Sequence, residues 1–119
     1  MDRLDDRTGD REGLILRRLF VFSAEWCQVC KALERSGIIE KFASEVWTPA
    51  KPLRIERHIL ENKVGRIIDR RGDTLFKRFG LRALPALVFV DGANEVLAKH
   101  EGGITLAGLH KLYERALKT

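Results

Sequence analysis

The sequence predicts one α/β domain with a central mixed β-sheet and helices on both faces. Apolar residues switch between strand-like and helix-like spacing along the chain, in the order β–α–β–α–β–β–α. Helices separate the first three strands, whereas a short turn joins the last two, so parallel and antiparallel pairs are both expected. The length of 119 residues suits a single domain with its own core.

Composition narrows the class of protein further. Apolar residues make up 45% of the chain and charged residues 33%, as in soluble globular proteins. The 3 prolines and 10 glycines are too few for a collagen-like or low-complexity chain. No apolar run is long enough for a transmembrane helix, so we expect no membrane insertion by this chain.

The net charge of +5 is concentrated in one stretch of the sequence. Residues 51–78 contain nine basic and four acidic residues. Such a patch could attract an acidic partner or a membrane headgroup surface, or it could simply be a solvated, arginine-rich face. No nucleic-acid motif accompanies it, so no nucleic-acid partner is expected.

The first part of the chain is predicted to be a flexible charged tail over residues 1–13, followed by the folded domain over 14–119. The tail mixes charges of both signs and has no apolar periodicity. The first strand is expected over residues 14–22. Its continuous apolar run at 19–22 is typical of a strand buried on both faces.

Helical spacing begins at Cys27 and continues to Trp47, which lies on the apolar stripe and is predicted to be a core residue. Gly37 is expected to bend this helix or split it into two. Pro49 and Pro52 end it, because proline cannot continue a helix.

Alternating residues predict a second strand over 53–60. The following stretch is helical in spacing but is interrupted at residues 71–73. We therefore expect a short helix capped by Asp73 or Thr74 and ending at Gly80.

Residues 86–90 form the most apolar segment and predict a central strand. A turn at 91–94 leads to a partner strand over 95–100. Thr105 is expected to cap a last helix whose apolar stripe faces the core.

The two cysteines, Cys27 and Cys30, lie where the first strand gives way to a helix. The unsatisfied N–H groups of a helix N-terminus favour an anion, so the pKa of the Cys27 thiol is expected to be depressed. Cys30 lies about one turn further on the same face and can close a small disulfide ring. We expect Cys27 to be the more exposed, attacking thiol and Cys30 the resolving one in thiol–disulfide exchange.

Two other interpretations of the cysteine pair stay open at this point. The cysteines could be ordinary buried thiols, or they could bind zinc with two of His58, His100 and His110. The sequence has no second closely spaced ligand pair, which argues against zinc. Each histidine is expected to be a surface residue or a core residue with satisfied hydrogen bonds.

Two segments resemble the thioredoxin superfamily, and the similarity extends over about residues 14–118. Residues 23–31, Ser-Ala-Glu-Trp-Cys-Gln-Val-Cys-Lys, resemble the family's active-site stretch. Residues 79–86, Phe-Gly-Leu-Arg-Ala-Leu-Pro-Ala, resemble its cis-proline segment and precede the same strand, turn, strand, glycine and helix. Within the superfamily, the pattern Cys-x-x-Cys-Lys-x-Leu-Glu at 27–34 is most similar to thioredoxin-like domains of bacterial envelope disulfide reductases.

The resemblance implies a thioredoxin fold and a substrate groove beside the cysteines. Pro85 would pack near the two sulfurs with a cis peptide bond after Leu84, whose backbone would pair with an extended substrate. Gly102 and Gly103 would line the same groove, where the lack of side chains lets a substrate backbone approach.

The resemblance also assigns supporting roles to the residues that flank the cysteines. Trp26 would shield the disulfide and offer an apolar contact surface, and Lys31 completes the Trp-Cys-x-x-Cys-Lys motif.

The chain departs from thioredoxins proper in two places. Gln28 and Val29 stand between the cysteines where thioredoxins have Gly-Pro, which leaves the direction of electron flow open. Val21 occupies the position at which thioredoxins often bury an acid that accepts the proton of the resolving cysteine. Glu25 is near in sequence but is expected to face solvent, so proton transfer at Cys30 would rely on water.

The expected function is therefore a thiol–disulfide oxidoreductase, acting as a reductase on protein dithiols and disulfides, with a redox partner protein. No cofactor is implied, because the Cys27–Cys30 disulfide itself stores two electrons. A monomer is expected. The alternative is a non-catalytic binding or adaptor module with the same fold. The charged start of the chain favours the cytoplasm, and the reductase resemblance favours the cell envelope, which would fit a piece of a longer protein.

Overall fold

The structure, a computed structural model, describes residues 17–118. The predicted tail over 1–13 and the first three residues of the predicted first strand lie outside the described residues. The predicted boundary at residue 14 stays a prediction.

Within residues 17–118, four strands form one mixed sheet in the order β2-β1-β3-β4. They are β1 (Arg17–Ser23), β2 (Leu53–Ile59), β3 (Ala86–Val90) and β4 (Val96–Glu101). β1 pairs in parallel with β2 and antiparallel with β3, which pairs antiparallel with β4. The mixed sheet predicted from the sequence is confirmed.

In the part of the chain that the structure describes, four helices accompany the sheet: α1 (Gln28–Ser36), α2 (Ile38–Val46), α3 (Arg70–Arg78) and α4 (Leu106–Leu117). Gly37 separates α1 from α2, so the predicted first helix is split rather than bent. Its φ of 72° is left-handed, a conformation that favours glycine, and its N–H donates to the carbonyl of Glu34 to close α1.

The alternation of side chains along β1 divides the core into two layers, because successive residues of a strand point to opposite faces. Leu19 and Val21 pack with α1, α2 and α4 on one face, and Phe20 and Phe22 pack with α3 on the other. Helices therefore cover both faces of the sheet, as predicted.

The last helix, α4, begins where the sequence predicts it. Thr105 caps α4 by accepting a hydrogen bond from the N–H of Gly108 at 3.0 Å, as predicted. Among the helices of the described part, none has the length and apolar character needed to cross a membrane.

The start of α3 was predicted wrongly. Asp69, not Asp73 or Thr74, caps the helix, and its Oδ1 accepts a hydrogen bond from the N–H of Gly72 at 2.8 Å. Gly72 thus lies inside α3 rather than interrupting it. A Cβ there would stand 2.8 Å from Nδ1 of His58, so the glycine permits close packing.

The prediction that Trp47 belongs to the core is also wrong. The side chain is 51% exposed, because α2 ends at Val46 and Trp47 has an extended backbone, with φ −71° and ψ 131°. This change of backbone turns the side chain away from the helical stripe on which Phe42 is buried.

Candidate functional site

The two cysteines meet at the junction between β1 and α1. Cys27 is the N-cap residue of α1 and Cys30 lies in its first turn, and the two form a disulfide with a Cα–Cα distance of 5.2 Å. The backbone N–H of Cys30 donates to Sγ of Cys27 at 3.2 Å. The first turn of the helix therefore directs a backbone N–H at the sulfur of Cys27, and this bond can stabilise a thiolate there.

The predicted difference in exposure between the cysteines is not found in the disulfide form. Cys27 is 4% exposed and Cys30 is 3% exposed. Ala24 and Leu84 pack against them. An incoming sulfur atom must therefore approach past this apolar cover.

The segment before Pro85 closes one side of the site. The Leu84–Pro85 peptide bond is cis, and Pro85 is fully buried. The carbonyl of Pro85 accepts a hydrogen bond from the N–H of Gly102 at 2.7 Å. This bond places the end of β4 beside the proline segment.

The two glycines predicted to line the groove lie at the site. Gly102 has a φ of 97°, and no atom lies within 4 Å of the position that a Cβ would occupy. A Cβ at Gly103 would stand 3.4 Å from Cγ1 of Val29, which lies between the cysteines. The structure thus brings Gly102 next to Pro85 and Gly103 next to the first turn of α1, between the two cysteines.

Glu101 holds the loop that leads to Leu84, a role that was not predicted from the sequence. Its Oε1 accepts hydrogen bonds from the backbone N–H groups of Arg82 and Ala83, both at 2.7 Å. These two bonds hold the pKa of the Glu101 carboxyl below its usual range. Its position next to Gly102 and Gly103 was the only sequence signal, and the contact itself spans 18 and 19 residues.

Trp26 stands beside the cysteines but projects outward, with 47% of its surface exposed. Its indole Nε1 donates to Oε1 of Glu61 at 2.8 Å, and the N–H of Glu25 donates to the carbonyl of Glu61 at 2.9 Å. Glu61 is a second residue that was not predicted from the sequence, because 35 residues separate it from Trp26. The shielding of the disulfide by Trp26 stays a prediction.

A cavity of about 460 Å³ lies on the other side of Cys30. Lys31 lines it together with Glu25, Glu34 and Ile59. Val21 is buried in the core and offers no group that could accept a proton. The cavity is large enough for several water molecules beside Cys30.

The three histidines have partners other than the cysteines. His58 is buried, with Nδ1 2.5 Å from Oδ2 of Asp69 and Nε2 2.6 Å from Oε2 of Glu56. His100 lies 2.9 Å from the carbonyl of Gly103, and His110 lies 2.7 Å from Glu45. Within residues 17–118, no cluster of three or more histidine, cysteine and acidic side chains is arranged to hold a metal ion.

The carboxyls around His58 are electrostatically stabilised. Burial by itself would raise the pKa of Glu56, but hydrogen bonds from Arg71 and His58 outweigh it and hold that pKa below its usual range. At Asp69, burial is likewise outweighed, by the N–H of Gly72 and by His58, and the pKa is lowered. This network joins β2 to the start of α3.

No protein-family model matches the sequence, and no curated protein has a significantly similar sequence. Solved structures of thioredoxins do match the fold. Thioredoxin-2 of a malaria parasite, described as a component of protein secretion machinery, is 18% identical, with 84% of this chain and 82% of that chain covered and a TM-score of 0.60.

Two further matches come from other organisms. A mutant thioredoxin from Halobacterium salinarum is 23% identical, with 96% of this chain and 82% of that chain covered and a TM-score of 0.58. The thioredoxin of Trypanosoma brucei brucei is 17% identical, with 96% of this chain and 86% of that chain covered and a TM-score of 0.59. Together with the sheet order and the Cys27–Cys30 disulfide, these matches show that the chain has a thioredoxin-like fold.

Proposed function

We propose that the protein is a thiol–disulfide oxidoreductase that acts as a reductase on protein disulfides through Cys27 and Cys30. One observation carries the proposal: the two cysteines form a disulfide at the N-terminus of α1, packed against Leu84 in a thioredoxin-like fold. This geometry combines a stabilised sulfur anion with a neighbouring sulfur placed to resolve a mixed disulfide.

The reaction begins with the reduced protein. The Cys27 thiolate attacks one sulfur of a substrate disulfide, forming a mixed disulfide and releasing the other substrate sulfur as a thiolate that takes up a proton. The Cys30 thiol then loses its proton and attacks Sγ of Cys27. The second substrate sulfur leaves, so the substrate gains two electrons and the Cys27–Cys30 disulfide forms.

The surroundings of the disulfide support this order of events. The N–H of Cys30 points at Sγ of Cys27, and such a bond is stronger to a thiolate than to a neutral sulfur. The backbone of Leu84, Gly102 and Gly103 is expected to receive an extended substrate, and Trp26 to contact its apolar side chains.

Proton transfer at Cys30 is proposed to use water. Val21 supplies no acid, and the cavity lined by Cys30 is bordered by Lys31, Glu25 and Glu34. Water in this cavity would carry the proton away from Cys30 before the resolving step.

The electron donor, the redox group and the location are part of the same proposal. The electrons would come from a redox partner protein, and the disulfide would serve as the redox group without an added cofactor. The motif Cys-x-x-Cys-Lys-x-Leu-Glu supports a relationship with bacterial envelope disulfide reductases and, with it, an envelope location.

The first test is the reduction potential of the cysteine pair, measured by equilibration in glutathione buffers followed by thiol trapping and mass analysis. A single two-electron transition below about −230 mV is expected for a reductase. A transition near or above about −180 mV would contradict the reductase assignment and indicate an oxidant or isomerase.

The second test traps the intermediate. In Cys30→Ser the resolving step is lost, so mixing the reduced variant with a disulfide-containing protein such as insulin should accumulate an adduct through Cys27. Cys27→Ser is the matched control and should form no adduct. If neither variant forms one and the wild type reduces no disulfide, the non-catalytic adaptor interpretation replaces the enzyme.

A further inference from the structure

A two-stranded ribbon over residues 60–68 projects from the end of β2, next to the site. The N–H of Ile68 donates to the carbonyl of Leu60 at 2.8 Å, and the N–H of Asn62 donates to the carbonyl of Arg66 at 2.9 Å. Between these bonds, Glu61 and Ile67 form a β-bridge. The ribbon is therefore an ordered hairpin that extends beyond the sheet.

The tip of the ribbon is held in one conformation. Oδ1 of Asn62 accepts hydrogen bonds from the N–H groups of Val64 and Arg66, both at 3.0 Å, and Gly65 has a left-handed φ of 83°. Val64 is 77% exposed on this turn. Ile67 and Ile68 of the same ribbon are also about half exposed, and a cluster of exposed aliphatic side chains is typical of a recognition surface.

The ribbon is attached to the disulfide site through Glu61. Its carbonyl accepts the N–H of Glu25, and its carboxylate accepts the indole N–H of Trp26. Lys63 of the ribbon lines the same cavity as Cys30. A molecule bound on the ribbon would thus lie beside the reactive sulfurs.

The ribbon and the start of α3 carry an excess of positive charge, because residues 60–71 contain four basic and two acidic side chains. Arg57 and Arg71, in the same basic stretch, bind glutamates. By contrast, Lys63, Arg66 and Arg70 form no ion pair with any residue in 17–118. The exposed aliphatic side chains of the ribbon therefore lie among basic side chains that have no ion-pair partner within the described residues.

We propose that this ribbon is the docking surface for the protein substrate and selects substrates that carry acidic and aliphatic residues beside their reactive disulfide. Charge complementarity identifies the occupant, because an excess of basic side chains around an exposed valine attracts an acidic segment with an apolar side chain. The surface adjoins the disulfide, so its occupant is the molecule that reacts there. The inference rests on the proposed function.

The test uses three synthetic disulfide-bonded peptide substrates that share one leucine and differ only in flanking residues, which are acidic, neutral or basic. The rate at which the pre-reduced protein reduces each peptide is measured in a single turnover. At low salt the acidic peptide should react about tenfold faster than the basic one, and 0.5 M NaCl should remove most of the difference.

Two double variants locate the effect. Lys63→Glu with Arg66→Glu should reverse the preference toward the basic peptide. Lys111→Glu with Lys118→Glu makes the same change of net charge on α4 and at its C-cap. Because α4 contacts β4, at the other edge of the sheet from β2, this variant should keep the acidic preference. Val64→Ser should slow all three peptides while leaving the reaction with oxidised 2-mercaptoethanol unchanged.

The outcomes separate this inference from the proposed function. If no peptide and no small disulfide is reduced, the oxidoreductase proposal fails. If all peptides are reduced at equal rates, or if the α4 variant reverses the preference as well, the ribbon is not the selective surface. A third outcome would assign the surface to a membrane and overturn the inference. In that case the wild-type protein binds anionic phosphatidylserine vesicles, the ribbon variant does not bind them, and the three peptides are reduced at equal rates.

Discussion

At the scale of single residues, the site depends on side chains that fix backbone positions. The carboxylate of Glu101 joins the end of β4 to the loop before Leu84 by two bonds to backbone N–H groups. Because the substrate is expected to pair with the backbone of Leu84, the carboxylate is a positioning group for the proposed reaction.

Replacing Glu101 tests this role. In Glu101→Ala, the amides of Arg82 and Ala83 should exchange with solvent roughly fivefold faster, since a hydrogen bond contributes about 1 kcal/mol. The KM for a protein disulfide should rise, while the rate with oxidised 2-mercaptoethanol stays constant. Glu101→Gln retains an acceptor oxygen and should restore both values; a Gln variant as impaired as Ala would contradict the positioning role.

Trp26 allows a second comparison at this scale, because its indole N–H is bound by Glu61. Trp26→Phe keeps an aromatic ring but loses the donor, and Glu61→Gln keeps an acceptor. We expect Trp26→Phe to lower the rate of protein-disulfide reduction severalfold and Glu61→Gln to leave it near wild type. The rate at which free thiols appear in the substrate, followed with a thiol-reactive dye, measures the effect in both variants. If both variants lose the same fraction of the rate, a neutral acceptor at position 61 does not suffice to hold the indole of Trp26 in place.

At the scale of elements, α3 illustrates how a tertiary contact determines a helix start. Asp69 caps α3 and also bonds His58, and Gly72 gives His58 the space it occupies. The ring of His58 stacks on Phe20 and Phe22, so the start of α3 is fixed to β1 and β2 together.

This contact predicts an unusual sign for one substitution. Gly→Ala inside a helix normally stabilises by about 1 kcal/mol. At Gly72, however, the new Cβ would lie 2.7 Å from Asp69 and 2.8 Å from His58. Gly72→Ala should therefore destabilise the protein by about 1–3 kcal/mol in urea denaturation. Thr74→Ala in the same helix is the control and should change stability little, and His58→Ala should reduce the cost of Gly72→Ala. A stabilised Gly72→Ala protein would refute this account.

The same helix shows how far sequence patterns extend. The strands and α4 were predictable because their apolar periods are uninterrupted and their ends carry turn or cap residues. The start of α3 was not predictable in this way. No apolar period runs through its first three residues, Arg70 to Gly72, so nothing in the pattern connects Asp69 to the helix that it caps. The cysteines were predictable from their spacing, whereas Glu61 and Glu101 act through contacts between residues distant in sequence.

At the scale of the whole molecule, the lowered pKa values of Glu56, Asp69 and Glu101 predict acid sensitivity. Their ordinary values are about 4.3 for Glu and 3.9 for Asp. Below these values the unfolded state binds more protons than the folded state. The stability that the three groups contribute is therefore complete above about pH 5 and is lost progressively as the pH falls through the lowered folded-state values.

Urea denaturation at several pH values between 7 and 3 measures this loss. The free energy of unfolding should fall as the pH decreases below about 4.5. The double variant Glu56→Gln, Asp69→Asn should be less stable at pH 7 but should show a shallower decline. Glu114→Gln, an exposed position on α4, is the control and should follow the wild-type curve. A wild-type free energy that stays constant down to pH 3 would contradict the prediction.

The central place of β1 has a consequence for synthesis on the ribosome. β1 pairs with β3 across the register Arg18 to Val90, so one side of this apolar strand stays open until residue 90 has left the ribosome. Until then the nascent chain exposes an unpaired strand edge that can pair with another chain. A chain stopped at residue 85 should therefore aggregate or remain bound to chaperones, whereas one extended through α4 should be released folded.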